Sequence, residues 1–413
     1  MRHGRATIAE YGDSLDRYLA ALAVLAADQR AAGAEPAPRA ARFEWDRRSR
    51  PREDRGGGGA PTRGPLLFFD LETTGLSGGV GTVAFLVGCG YFQGDAFRTR
   101  QYFLSGYEAE HELLVALSTL MRDFSGLVTF NGRSFDVPLI EMRYAFHRLD
   151  SPFEGVPHFD MLHPARRLWR RRAPAAADDA GGWSLSAPGT DPTSCALKSL
   201  EEAILGTGRV GDVPGFEIPS RYFAYLRNGD LEPLQAVFEH NRLDLVSLAA
   251  LTSLAARMAS EGPAAVPSPH EALAIGQVYE RIGRVPDAEA CYARAAGLGD
   301  APWSPYAVER DIRADALHRL ARVLRRQRRY LEAADSWQAL LDVTGDRVLM
   351  QEARRALAVH HEHRTRDLDT ARTFAESALK TEQDPDRVTA LQYRLDRLNR
   401  KRERRTGGWD EGE

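Results

Sequence analysis

The feature that most constrains the fold is a run of apolar residues that ends in two acids. Residues 66–69 are Leu-Leu-Phe-Phe, and Asp70 and Glu72 follow them closely. Four consecutive apolar residues predict a strand that is buried on both faces. Side chains alternate between the faces of a strand, so the two acids project to the same side. Neighbouring carboxylates repel each other and are costly to bury, and a divalent cation would neutralise them. The same two-acid spacing also arises by chance, so the pair alone does not decide the matter.

Two later segments favour the metal interpretation. Asp136 follows a short apolar run, residues 126–130, that predicts another strand. A helix is expected after it, so Asp136 lies near a strand-to-helix junction, where functional groups of α/β folds are common. His240 and Asp244 are four residues apart in a stretch that predicts a helix. That spacing places both side chains on one helix face.

The three segments together resemble the three motifs of DEDD-type 3′–5′ exonucleases in the ribonuclease H-like superfamily. The matching residues are Asp70-x-Glu72 followed by Thr-Thr-Gly, Asn131-x3-Phe135-Asp136 and His240-x3-Asp244. The chain resembles in particular the YprB-like group of predicted exonucleases. Residues 158–163 and 197–201 are also similar to segments of that group. The resemblance covers about residues 65–256 and implies an α/β ribonuclease H-like domain, with a mixed sheet flanked by helices.

The resemblance also implies a metal site. In related enzymes four acids hold two ions, and the matching positions here are Asp70, Glu72, Asp136 and Asp244. Mg²⁺ and Mn²⁺ suit the same oxygen ligands, so the sequence leaves the choice between them open. One ion would lower the pKa of a bound water, and both would stabilise charge on the attacked phosphorus. His240 is expected to be the general base, because its ordinary pKa lies close to neutrality.

The third motif departs from the family pattern. Relatives with histidine as the base usually have four residues between it and the final aspartate, whereas relatives with three residues carry tyrosine. In this chain His240 stands at the tyrosine spacing, and Glu239 occupies the other position. The metal assignment is unaffected, but two roles stay open for His240. It is either the general base or a residue that caps the helix or supports a ligand.

Further polar residues complete the predicted site. Thr73, Thr74 and Asn131 are expected to position the terminal nucleotide. Asp160 is a fifth candidate acid, which either orients a water molecule or caps the helix that follows it. We favour the cap, because four ligands suffice for the related chemistry.

A basic cluster at residues 166–172, Arg-Arg-Leu-Trp-Arg-Arg-Arg, admits two interpretations. Its arginines would track phosphates while Trp169 stacks on a base. Alternatively, the cluster is a solvated helix end with Trp169 packed inward. The net charge of −3 favours neither interpretation. Since the chain has only three lysines, at positions 198, 380 and 401, the arginine content reflects a compositional bias.

The sequence predicts four segments. Residues 1–64 contain an amphipathic helix and a linker rich in Pro, Gly and Arg, and residues 65–260 form the ribonuclease H-like domain. Residues 265–400 are predicted to be all-helical, and residues 401–413 a charged tail. In the helical part Val285-x2-Ala288, Tyr330-x2-Ala333 and Leu368-x2-Ala371 each open a helix, and the first copy is similar to a tetratricopeptide repeat. Such an array favours a protein partner or a role in guiding substrate.

Cysteine usage and hydropathy bear on location. Three cysteines that lie far apart indicate neither a disulfide framework nor a zinc site. This pattern fits a reducing compartment, and we expect a cytoplasmic protein. No apolar run approaches the length needed to span a membrane, so no membrane partner is expected.

These observations predict a metal-dependent 3′–5′ exonuclease that acts on ends of single-stranded DNA or RNA. Two alternatives remain. One is a helical-repeat scaffold whose nuclease fold is inactive, and the other is a structure-specific endonuclease that uses the same metals. The choice between DNA and RNA depends on the 2′-hydroxyl, which no motif here reports.

Overall fold

The protein is described by a computed structural model that covers residues 2–3, 6–7, 25, 65–75, 81–170 and 194–406. The chain divides into two compact units, residues 1–261 and residues 262–413. The predicted N-terminal helix and linker lie outside the described residues except for Leu25, which is helical and buried. Near the start of the chain, the short strands Arg2–His3 and Ala6–Thr7 pair antiparallel.

A mixed five-stranded sheet forms the framework of the first unit. Its strands are β1 (Leu66–Thr73), β2 (Ala84–Gln93), β3 (Ala96–Phe103), β4 (Gly126–Thr129) and β5 (His158–Asp160). They lie in the order β3-β2-β1-β4-β5. Strand β1 is antiparallel to β2 and parallel to β4, while β3 is antiparallel to β2 and β5 parallel to β4. The central position of β1 explains its apolar run, since residues 67–69 are fully buried.

Helices flank this sheet, as the predicted fold class requires. They are α1 (Glu110–Met121), α2 (Asp136–Phe146), α3 (Leu162–Leu168), α4 (Leu197–Leu200), α5 (Ile218–Asn228) and α6 (Glu232–Glu261). A π-helical turn, Glu201–Leu205, continues α4, and short 3-10 turns span Tyr107–Ala109 and Gly215–Glu217. Helix α6 packs against β1, β2 and β3. Tyr222 of α5 stacks on Phe85 of β2 with 4.2 Å between ring centroids, and both side chains are fully buried.

Helix α6 and the turn after it, Glu232–Ala265, are long and apolar enough to cross a membrane by length and composition alone, so the expectation that no segment approaches that length was wrong. However, 72% of the most apolar stretch is buried inside the protein. A core helix has the same composition, so packing accounts for the apolar character of α6.

The second unit consists of helices. They are α7 (Pro269–Arg281), α8 (Val285–Ala295), α9 (Arg310–Arg326), α10 (Tyr330–Val343), α11 (Arg347–His360), α12 (Leu368–Leu379) and α13 (Pro385–Thr406). Short turns span Gly262–Ala265, Pro305–Ala307 and, as a π-helical turn, His361–Thr365. Each helix packs against the next one along the chain. Helices α8, α10 and α12 begin where the sequence pattern predicts, and the pattern alanines are buried.

The observed helices confirm a helical-repeat region, whereas its tetratricopeptide character stays a prediction. Helix α13 continues to Thr406, so the first part of the predicted charged tail, residues 401–406, is helical. Within it, Lys401 Nζ lies 2.8 Å from Glu362 Oε1. These residues therefore belong to the packed unit.

Candidate active site

Four carboxylates from three segments of the chain converge beside the end of β1. Asp70 and Glu72 lie on one face of β1, Asp136 begins α2, and Asp244 lies in α6. Burial raises the pKa of Asp70 well above its ordinary value, and the charges of Asp244, Glu72 and Asp136 raise it further. The pKa of Glu72 is raised in the same way, by burial and then by Asp244 and Asp136. The structure thus brings together the four acids that the sequence proposes as metal ligands.

The loop that carries Asp136 depends on a glycine. Burial raises the pKa of Asp136 to about 7, and the charges of Asp160 and Asp244 contribute. A Cβ atom at Gly132 would lie 2.8 Å from Asp136 Oδ2 and 2.6 Å from Thr129 Cβ, closer than packing permits. The bare backbone of Gly132 therefore lets the loop close tightly against the carboxylate.

A buried amide holds Asp70. Asn241 Nδ2 donates a 2.8 Å hydrogen bond to Asp70 Oδ2, and Asn241 Oδ1 accepts one of 2.9 Å from Gln101 Nε2. Gly88 pairs with Asp70 across β1 and β2. A Cβ atom at Gly88 would lie 2.3 Å from Asn241 Oδ1. The glycine thus opens the space through which the amide of α6 reaches the acid of β1.

His240 is oriented by a residue from the loop before α5. Its Nδ1 lies 2.6 Å from Asp212 Oδ1. Burial raises the pKa of Asp212, but the hydrogen bond and charge of His240 and the charge of Arg209 outweigh this and lower it. The carboxylate of Asp212 can only accept, so Nδ1 carries the proton and donates. Arg209 Nη1 is 3.5 Å from the same nitrogen, a distance too long to compete.

The other ring nitrogen, Nε2, faces the acids. Nε2 lies 3.5 Å from Asp244 Oδ2 and 4.0 Å from Glu72 Oε1. Glu239 points elsewhere, since its side chain is 53% exposed and bonded to Arg242. Of His240 and Glu239, the two residues at the alternative positions of the third motif, only His240 is directed at the carboxylates.

A buried arginine ties Asp244 to the segment between α4 and α5. The side chain of Arg209 is only 3% exposed, and it donates hydrogen bonds to Asp244 Oδ1 at 2.5 Å and Glu201 Oε2 at 2.8 Å. Burial lowers the pKa of Arg209, but the charges of Asp244 and Glu201 outweigh this and raise it above its ordinary range. Arg209 thus brings one permanent positive charge to the acids and leaves Asp244 Oδ2 directed at His240.

Sequence reasoning assigned no role to Glu201, Arg209, Asp212 or Asn241. Asn241 follows His240 directly in the third motif and is fully buried. Its position inside that motif is the feature of the sequence that could have indicated a role for it. Arg209 and Asp212 lie in an irregular loop with no hydrophobic period, and their spacing carries no such signal.

The hydroxyls of two predicted substrate-binding residues already have partners in the turn after β1. Thr73 Oγ1 donates to Gly75 O at 2.8 Å, and Thr74 Oγ1 accepts from the Val83 N–H at 3.0 Å. Asn131 lies elsewhere, in the loop after β4, with a positive φ of 65°. A role for these three residues in positioning a nucleotide stays a prediction.

Asp160 binds backbone groups. Its Oδ1 accepts from the N–H of Asn131 at 2.7 Å and of Leu162 at 3.0 Å, and its Oδ2 accepts from the N–H of Arg133 at 3.1 Å. These bonds fix the loop after β4 and the first residue of α3. The N-cap residue of α3 is Met161, so a capping role for Asp160 stays a prediction. Trp169, at the end of α3, is 6% exposed and packs inward, so it is not available to stack on a base.

The donor set fits a hard divalent cation. One ligand atom from each of Glu72, His240 and Asp244 lies within 4.8 Å of the other two. Asp70 and Asp136 add half-buried carboxylates whose pKa values are raised, because desolvation and neighbouring negative charges disfavour the charged form. Cations that prefer oxygen ligands would remove this cost.

Comparison with known proteins agrees with the fold. Residues 67–256 match the family RNase_H_2, described as the RNase_H superfamily. The chain is also 33% identical over 188 residues to the uncharacterized protein YprB of Bacillus subtilis (strain 168). This region is 45% of the present chain and 40% of that relative, so the chain spans well under half the length of the curated relative it matches.

Residues 67–256 of the first unit are therefore similar to the RNase_H superfamily and to YprB, and the mixed sheet flanked by helices confirms the predicted fold class. Domains of this superfamily are commonly nucleases that use divalent metal ions. The DEDD exonuclease subtype stays a prediction.

Proposed function

We propose that the first unit is a metal-dependent 3′–5′ exonuclease that hydrolyses phosphodiester bonds at single-stranded nucleic-acid ends. The observation that carries this proposal is the convergence of four carboxylates beside a histidine whose Nδ1 is held by Asp212 and whose Nε2 faces Asp244 and Glu72. Two bound divalent ions, Mg²⁺ or Mn²⁺, would activate water and stabilise charge on the phosphoryl group.

The acids have separate supports. Asp70, Glu72, Asp136 and Asp244 would hold the cations, and Asn241 keeps Asp70 in place through its 2.8 Å hydrogen bond. Arg209 occupies Oδ1 of Asp244, so Oδ2 is the atom left for a ligand role.

His240 handles the proton. Nε2 accepts a proton from the attacking water, whose oxygen forms the new bond to phosphorus while the bond to the 3′ oxygen of the preceding nucleotide breaks. Asp212 stabilises the positive charge that forms on the ring, because it accepts the hydrogen bond from Nδ1. The departing 3′ oxygen takes up a proton, and a nucleoside 5′-monophosphate is released.

The raised pKa values argue against an inactive scaffold. Buried like charges destabilise the folded chain, and a protein that only binds partners gains nothing from retaining them. An endonuclease remains the alternative that uses the same residues. For the second unit we propose a role in guiding substrate or binding a protein partner, as stacked helix pairs offer extended surfaces.

The test is hydrolysis of 5′-labelled single-stranded DNA and RNA in Mg²⁺, Mn²⁺ or EDTA. We expect a ladder that shortens from the 3′ end, requires metal and is absent in an Asp70→Ala, Asp244→Ala double variant. Glu239→Ala is the matched control, since Glu239 lies on the same helix but faces away from the acids.

Other outcomes select the alternatives. Cleavage of circular single strands or of hairpin loops would identify an endonuclease. If the wild-type protein cleaves no single strand, duplex or hairpin with either metal, the scaffold is the better description.

A further inference from the structure

A polar cavity of about 440 Å³ lies on the β5 side of the sheet. Phe130 and Asn131 line it from the loop after β4, while Leu162, Arg166 and Arg170 line it from α3 and the residues just after it. None of the acids proposed as metal ligands is among its lining residues. The cavity is thus distinct from the carboxylate cluster.

Asp160 shows that the cavity and the carboxylate cluster are neighbours. Its carboxylate accepts hydrogen bonds from the backbones of Asn131 and Leu162, which both line the cavity. The charge of the same carboxylate acts on Asp136, where it helps to raise the pKa. The carboxylate of Asp160 therefore lies between the cavity wall and Asp136, one of the proposed metal ligands.

The cavity wall carries two converging positive charges. Arg166 and Arg170 are both exposed. Both charges act on the thiol of Cys195, also in the cavity wall, where they oppose the larger effect of burial. Among the described residues, no carboxylate forms an ion pair with either guanidinium. Arginine presents several fixed donors to a phosphate, and a phosphate is the group that two such arginines bind best.

We propose that this cavity is a phosphate subsite that holds the backbone of a single strand on the 5′ side of the terminal nucleotide. This inference rests on the proposed exonuclease function. The carboxylate cluster repels phosphates, so a pair of cations beside it supplies the attraction that draws the strand in. Phe130, half-buried in the same wall, offers an apolar face to a base without selecting its identity.

The test compares Arg166→Gln, Arg170→Gln with Arg122→Gln, Arg227→Gln, a control pair of exposed arginines elsewhere on the same unit. Binding of a fluorescent 12-nucleotide thymidylate strand in EDTA is measured by anisotropy as a function of salt. Loss of two phosphate contacts should flatten the slope of log K against log salt by about 1.4, at about 0.7 per contact. The affinity should fall about tenfold, and the control pair should change neither quantity appreciably.

Kinetics separate the subsite from the chemistry. With metal, KM for the 12-mer should rise about tenfold in the subsite variant. Hydrolysis of thymidine 5′-(4-nitrophenyl phosphate), which has no upstream phosphate, should stay within about twofold of wild type.

The proposal is overturned if the subsite and control pairs weaken binding equally, or if the salt slope is unchanged. It is also overturned if hydrolysis of the small ester falls as much as hydrolysis of the strand. If the wild-type protein hydrolyses neither substrate but the slope still flattens only in the subsite variant, the phosphate subsite stands and the exonuclease proposal fails.

Discussion

Replacing Asp136 with asparagine should stabilise the metal-free protein at neutral and alkaline pH. Burial raises the pKa of Asp136 to about 7, whereas an aspartate in an unfolded chain titrates near 4. A carboxyl group with a raised pKa costs no stability below its unfolded value, and the protein loses stability as the pH rises toward the folded value. Three pH units at about 1.4 kcal/mol each correspond to about 4 kcal/mol above pH 7.

Smaller effects oppose this gain. Asp136 is the first residue of α2, where a negative charge interacts favourably with the helix dipole by about 0.3–1 kcal/mol. The stabilisation gained by removing the charge of Asp136 is also smaller than about 4 kcal/mol, because Asp136 titrates together with Asp160 and Asp244. A net stabilisation of about 2–3 kcal/mol is therefore expected, which corresponds to an increase in Tm of roughly 5–10 °C for a unit of this size.

Thermal unfolding followed by circular dichroism tests this at pH 8 and pH 4.5, with EDTA and with Mn²⁺. In EDTA at pH 8 the variant should melt above wild type, and most of the difference should vanish at pH 4.5, where the wild-type carboxyl is neutral. Mn²⁺ should raise the Tm of wild type more than that of the variant. Glu239→Gln removes the same charge from an exposed position and should change Tm little at either pH. A variant that melts below wild type in EDTA at pH 8 would refute the reasoning.

Four further substitutions test the histidine of the site and the residues that support it. His240→Ala should lower kcat by about 10²–10⁴, and Asp212→Ala by about 10–100-fold, both with little change in KM; a loss in KM alone would point to substrate binding. Gly88→Ala forces Asn241 away from Asp70, so it should lower stability by about 1–3 kcal/mol and weaken Mn²⁺ binding measured by calorimetry; unchanged Mn²⁺ affinity would contradict this. Arg209→Met leaves Glu201 and Asp244 without their buried partner and should cost about 3–5 kcal/mol in urea unfolding. A small loss would show that water replaces the guanidinium.

Local pattern was enough to predict the strand and the direction of its acids. Asp70 and Glu72 follow from alternation along β1, since that rule needs no knowledge of the rest of the fold. The pairing of His240 with Asp244 follows from helical spacing in the same way.

The sequence could not predict contacts that tertiary packing creates. Arg209 and Asp212 reach the site from an irregular loop whose path is set by the elements around it. Trp169 illustrates a second limit, because a run of arginines does not reveal which face of a short helix turns inward. The structure decides this, with Trp169 buried and both of its exposed arginine neighbours, Arg166 and Arg170, outside.

The distribution of the acids along the chain gives the proposed nuclease an order of assembly. Positions 70, 72 and 136 leave the ribosome long before position 244, and the strands β2 and β4 that pair with β1 also precede α6 in the chain. During that interval the nascent chain is still attached to its own messenger RNA. It lacks the last carboxylate, the histidine and the amide that holds Asp70, because all three lie in α6. The proposed active site is therefore incomplete while the growing chain is close to the message that encodes it. It becomes complete only once Glu232–Glu261 has been synthesised and packed.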